Sequence, residues 1–250
     1  MVNQPPSPLK AKVSPGHPFF DLIEEAYRVF DYSRPVSTEV CHCCMDEEIE
    51  VDFFNPPIRQ LPLEYVRDWY FAAYDPQTGV AKATWAYLLP RLLEILATDE
   101  DLAGIGLEVS LRRFDTGNPK NWSTKEWAVL DRFQRMFLQH RIEHTKDFLD
   151  DAVCMFRLGG WPLDDLTNQL KAAPSATLAA RLWNDWCAGC APGRENIWVT
   201  AFWEGADSTE ILDFYTSDAL YEKMEALALD DNTDPELAAK ASAVASMMRP

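Results

Sequence analysis

This chain is short of basic residues, glycine and strand-forming sequence. Only 23 Lys and Arg stand against 40 Asp and Glu, a net charge of −17. A field of that sign disfavours nucleic acid and anionic membrane, because phosphates need cations opposite them. It suits a well-solvated surface and, where there is a protein partner, a basic one. No Asn-Gly turn and few β-branched runs occur, which argues against a sheet. No apolar run approaches the roughly 18 residues of a membrane span. The opening MVNQPPSPLKAKVSPGHP has no apolar core of the secretory kind. These absences together point to a cytoplasmic protein. Its six cysteines are then expected to be reduced thiols or metal ligands rather than disulfides.

Catalytic signatures are missing too. There is no phosphate-cradling P-loop, no nucleophile elbow and no dinucleotide fingerprint; Gly104-Ile-Gly106 lacks its third glycine. Carboxylate pairs such as Asp150-Asp151, Asp164-Asp165 and Asp230-Asp231 are sequence neighbours. They point to different faces of a helix and fit surface charge or helix N-terminal acids.

What the chain does contain is helical periodicity. Residues 1–17 hold four prolines and read as a flexible arm; 18–250 read as a single helical domain. Phe19, Ile23, Ala26, Tyr27 and Phe30 form one stripe. Leu63, Val66, Trp69 and Tyr70 form a second. Trp85, Leu89, Leu92 and Leu96 form a third, with Pro90 inside it as a kink or a new start. Leu102 to Phe114 is a further candidate helix. Ser123 and Glu126 make a capping box ahead of Trp127, Leu130, Phe133 and Phe137. Helices are expected over 145–158, 162–170, 175–187, 217–229 and 235–248. The stretch ENIWVTAFW (195–203) alternates weakly but also fits a helical face, and is assigned as helix. The ten glycines and seventeen prolines act as punctuation between these segments. The expectation is an all-α fold of antiparallel helix pairs, either an irregular α-solenoid or a helical bundle. Nine tryptophans are expected mostly in the core, with a minority available to line a groove.

Three constellations carry chemistry. Cys41-His42-Cys43-Cys44 contains a C-x-x-C pair, and Cys187-Ala-Gly-Cys190 is a second with the same spacing. Cys41, Cys44, Cys187 and Cys190 together would supply four thiolates for a structural zinc, provided the fold joined them across a long intervening chain. A redox pair is disfavoured, because no βαβ pattern surrounds either motif. Small apolar residues at helix ends, with Cys154 the same inside a helix, are the competing reading and the favoured one. The third constellation is His140-Arg-Ile-Glu143-His144, which spells the H-x-x-E-H of the inverzincin metalloproteases. Spacing of four puts both imidazoles on one helical face for zinc, with Glu143 as the base for a bound water and Glu222 or Glu225 as third ligand. Against it, the chain lacks that family's mixed α/β pattern. The histidines also extend the stripe 130, 133, 137, 140, 144, so edge-of-core packing explains them, with Arg141 and Glu143 as solvated neighbours.

Tyr32-Ser-Arg-Pro35, Cys41-x-x-Cys44, the Pro57-to-Pro62 turn PIRQLP and the Tyr87-to-Leu96 run YLLPRLLEIL follow one another in order. So do Ala201-Phe-Trp-Glu204, Ile211-Leu-Asp-Phe214, Ser217 and Met224-Glu225. This order resembles a family of bacterial proteins with an N-terminal C-x-x-C, a "PLRELP"-like turn and a "FLPRLLELL"-like helix, a family to which no activity attaches. The resemblance spans much of residues 19–229. It implies a bacterial, cytoplasmic, helical protein in which Cys41 and Cys44 are the paired thiols and Cys43 is extra. With no complete catalytic constellation and a strongly acidic field, function is expected to be non-enzymatic, an acidic interaction protein of the immunity or adaptor type that binds a basic protein. The alternative is a metal-dependent hydrolase on His140, Glu143 and His144.

Overall fold

The structure is a computed structural model that describes residues 10–75, 79–144, 147–190 and 196–249. It is all-α. Among the described residues there are eleven α-helices and no strand. None of these helices is long and apolar enough to cross a membrane. The chain gathers into two compact units, 1–133 and 134–250, within the span read from sequence as one domain.

The first unit holds α1 (Phe20–Val29), α2 (Glu47–Asp52), α3 (Leu63–Phe71), α4 (Lys82–Ala97) and the start of α5 (Thr124–His144). Helix α4 is its centre. Thirteen of its 16 residues are buried, and α1 packs against it. The helix runs unbroken through Pro90, where sequence suggested a kink or a new start. An interior proline costs about 3 kcal/mol, and burial of this helix on nearly every side offsets it. Around α4 the rings of Trp69, Trp85 and Phe114 follow one another at 6.3 and 6.4 Å.

A buried ion pair closes this core. Arg91 is fully buried, and its guanidinium donates to Leu61 O at 2.9 Å, Lys10 O at 3.0 Å, Ala11 O at 2.6 Å and Glu94 Oε2 at 2.8 Å. Glu94 in turn accepts from Lys12 Nζ at 2.9 Å and Tyr27 OH at 2.8 Å. Residues 10–13 of the expected arm are thus held on α4; residues 1–9 lie outside the described residues. The Tyr27 hydroxyl is held far above its ordinary pKa, first by burial and then by the Glu94 carboxylate it donates to.

The second unit contains α6 (Leu149–Leu158), α7 (Leu163–Ala172), α8 (Ser175–Trp186), α9 (Asp207–Tyr215), α10 (Asp218–Leu229) and α11 (Pro235–Met248). Helices α10 and α11 pack along one another, and both pack on α8. In the first unit α1 meets α4 in the same way. Apart from the consecutive α10 and α11, these pairings join helices that are not neighbours in sequence. That is bundle packing, unlike a repeat stack in which each element meets only its neighbours.

Two expected helices are absent. Over 102–114 there is only a single 3₁₀ turn, Leu107–Val109, among irregular turns. Gly104 and Gly106 adopt φ of 68° and 138°, and the Asp101 carboxylate captures the N–H groups of Ala103 and Gly104, so the helix cannot propagate. Over 196–203 the chain is irregular, and 195 lies outside the described residues. There the carboxylate of Asp150, only 3% exposed, accepts from Thr200 N at 2.7 Å and Trp203 Nε1 at 2.9 Å. A side chain has replaced the helical backbone bonds, and Asp150 is an interior anchor rather than the surface acid expected. The capping box is present, with Ser123 N donating to Glu126 Oε2 at 2.7 Å and Glu126 N to Ser123 Oγ at 3.4 Å.

Glu94→Ala leaves the buried guanidinium of Arg91 without its carboxylate. We expect a loss of about 3–5 kcal/mol in urea unfolding, together with faster amide exchange at residues 10–13. An Asp150→Ala chain should lose about 2–3 kcal/mol, with protease cleavage rising selectively near Thr200.

Candidate functional site

The CHCC segment folds as one turn of 3₁₀ helix, His42–Cys44, entered from Cys41. Cys44 N donates to Cys41 O at 3.0 Å. Three residues per turn bring positions 41 and 44 to the same side of it. Cys41 is half-buried, while Cys43 and Cys44 are exposed.

Both flanks of the turn are pinned. Before it, Glu39 adopts a left-handed φ of 58°, a conformation that costs a non-glycine residue about 1–3 kcal/mol. Its carboxylate offsets that strain by accepting from Ala81 N at 2.6 Å and Thr84 Oγ1 at 3.0 Å, at the positive N-terminal end of α4. Cys41 N donates to Ala73 O at 2.7 Å, just beyond α3. Trp69 Nε1, deep in the core, donates to Thr38 O at 2.9 Å. After the turn, Asp46 caps α2 by accepting from Glu48 N and Ile49 N, and its own N–H donates to Asp68 Oδ2 at 2.9 Å.

The result is a thiol cluster. The sulfurs of Cys41, Cys43 and Cys44 all lie within 4.8 Å of one another. Cys41 and Cys43 are 2.8 Å apart, and Cys43 and Cys44 3.9 Å. Metal–sulfur bonds of about 2.3 Å in a tetrahedral ion place sulfurs roughly 3.8 Å apart, so three thiolates in this arrangement could hold a metal. Hydrogen bonds from Cys43 and Cys44 hold the Cys41 thiol below its ordinary pKa. Its bond to Cys41 pushes Cys43 up to about 11. One sulfur of the cluster is therefore the preferred anion and its neighbour the proton donor. His42 points the other way, its Nδ1 meeting Glu50 Oε1 on α2.

Sequence reasoning paired Cys41 with Cys44 and treated Cys43 as extra. In the fold Cys43 sits between them. The second pair lies in the other unit. Cys187 ends α8, and Cys190 is exposed with its thiol against Trp186 O at 3.6 Å. Cys154 is buried in α6, as expected of a packing thiol.

His140 and His144 lie one above the other near the end of α5, ring centroids 5.4 Å apart. Glu143 faces His144 Nε2 at 3.5 Å and is also bonded by the Gln139 amide. Among the described residues, no third metal-ligating atom joins this pair within 4.8 Å. Glu225, offered as that third ligand, accepts from Tyr221 OH within α10, and Glu222 is exposed on the same helix. Arg141 is not the solvated neighbour expected. It is 2% exposed, stacked on Phe137 at 4.8 Å and paired with Asp147 at 2.6 Å. Ion pairing with a half-exposed carboxylate makes burial of that cation tolerable.

No protein-family model, curated protein or solved structure matches the chain.

The proton order inside the cluster is measurable. At pH about 8, near an ordinary thiol pKa, iodoacetamide should label Cys41 well before Cys43 in the metal-free protein. Cys43 should become reactive only as pH approaches about 11. Peptide mass mapping showing equal labelling of both would contradict the assignment.

Proposed function

We propose that this chain is a non-enzymatic, metal-binding interaction protein of the adaptor or immunity type, working in the cytoplasm. In this reading a soft ion, zinc or copper(I), is held by the thiolates of Cys41, Cys43 and Cys44. The acidic surface receives a basic protein. The carrying observation is the convergence of three ligand sulfurs within 4.8 Å on a turn clamped at both flanks. Support for a basic partner comes from charge alone, 40 acids against 23 bases.

The hydrolase alternative draws on the stacked His140 and His144, 5.4 Å apart. It is the weaker reading, because Glu143 is already engaged by His144 and Gln139 and no third donor gathers among the described residues.

Metal analysis of chain purified without chelator separates the two. We expect one zinc or copper per chain, lost in Cys41→Ser/Cys43→Ser and retained in His140→Ala/His144→Ala. The opposite pattern would move the site to α5 and revive the hydrolase. Binding at 100 times the dissociation constant stabilises the fold by about 2.7 kcal/mol, so the melting temperature should rise with added ion in the parent chain and in His140→Ala/His144→Ala, and stay unchanged in Cys41→Ser/Cys43→Ser. A partner held by charge should be released as salt rises from about 0.05 to 0.5 M. A partner that stays bound across that range is not recognised electrostatically.

A further inference from the structure

The ligand set of the thiol cluster stops at three sulfurs. Among the described residues, no further His, Cys, Asp or Glu atom joins Cys41, Cys43 and Cys44 within 4.8 Å. Residues outside the described ones hold no Cys or His, and Glu195 is their one acid. His42, the nearest imidazole in sequence, is engaged with Glu50 on α2. Cys43 and Cys44 are exposed, so two of the three ligand residues meet solvent.

Three soft donors and an open side discriminate between ions. A structural zinc is closed by four protein ligands and supplies folding energy to a segment that lacks its own. Here the turn is already fixed to the core, by Cys41 N on Ala73 O, Trp69 Nε1 on Thr38 O and Asp46 N on Asp68. A zinc with three protein ligands keeps a water in the fourth position, where an acid or base can use it. The one imidazole on this turn faces Glu50 instead. Copper(I) has neither requirement: it is soft, selects thiolate and is satisfied by two or three of them. The surroundings suit a cation, since Asp46, Glu47 and Glu48 follow the turn directly and all three are exposed.

We propose, resting on the thiolate metal site above, that the cluster carries copper(I) as cargo and hands it to a basic, thiol-bearing protein by ligand exchange at the open side. The partner's thiol releases its proton to solvent and its thiolate forms a new copper–sulfur bond. The bond to Cys43 or Cys44, the exposed pair, then breaks, and the freed thiolate takes up a proton. Copper stays at +1 throughout, so the step needs no oxidant or reductant. Cys41, half-buried and tied to Ala73, releases the ion last. The carboxylates of residues 46–48 receive the partner's cations beside the ion they exchange.

The test uses the full chain as Cys187→Ser/Cys190→Ser, kept free of oxygen, so that the second exposed pair takes no metal. Copper(I) is offered at one ion per chain against roughly a hundredfold excess of zinc. Copper should be the ion retained, and X-ray absorption at its edge should show three sulfur neighbours with no nitrogen or oxygen. Adding Cys44→Ser should leave copper bound on two sulfurs, whereas adding Cys41→Ser/Cys43→Ser should abolish it. The loaded chain is then mixed with a synthetic peptide carrying a C-x-x-C pair between lysines. The transfer rate should rise in proportion to peptide concentration and drop several-fold when glutamates replace the lysines. Zinc retained in place of copper, or nitrogen or oxygen in the copper shell, would overturn copper(I) as cargo while leaving a metal site on the cysteines. A rate independent of peptide concentration means that the ion leaves before the partner arrives, and ends the exchange mechanism. If neither ion is held above the level of the Cys41→Ser/Cys43→Ser chain, the metal-binding reading itself fails, and this inference with it.

Discussion

Four backbone and side-chain bonds to one guanidinium organise the first unit. Arg91 sits on α4, yet its partners lie at Lys10, Ala11, Leu61 and Glu94. Lys10, Ala11 and Leu61 lie outside α4, and the guanidinium draws their segments onto it. The cation is affordable inside because every one of those contacts is an oxygen, and because Glu94 brings a full negative charge with its own donors, Tyr27 and Lys12. Hydrophobic burial decides that α4 is central. The ion pair decides which loops lie over it.

A second buried cation plays a related part at the other end of α3. Arg113 is 3% exposed, 4.4 Å from the Trp69 ring and 4.5 Å from that of Tyr74, and it donates to Tyr70 O and Ala72 O. Burial holds its pKa below the ordinary arginine value. By fixing the chain as it leaves α3 it also fixes Ala73, whose carbonyl receives Cys41 N. The thiol cluster is at the surface, but its supports reach the core through α3 and α4.

Periodicity made the all-α class legible, along with most helix positions: α11 falls on the expected 235–248, and the Ser123–Glu126 capping box forms as its spacing requires. What stayed hidden was set by side chains acting over long range. Asp150 holds the 200–203 segment fifty residues away, and no local pattern announces that. Helix α2 was masked by its acidic run, which turns out to be the first turn of a helix capped by Asp46. The cysteines were visible as residues, but their grouping was not. Spacing favoured Cys41 with Cys44, whereas the 3₁₀ turn draws Cys43 in as well.

The strained backbone at Glu39 bears on more than local geometry. Its left-handed φ is held by a carboxylate on the end of α4, and the turn that follows is tied to Ala73 and Asp68. A loose loop would have to give up about 1–2 kcal/mol of backbone freedom for each residue it orders around a guest. Here that ordering has already occurred during folding. A metal bound by the three sulfurs would meet a cage assembled beforehand, so the entropy of capture would be borne by the protein core and not by the binding event.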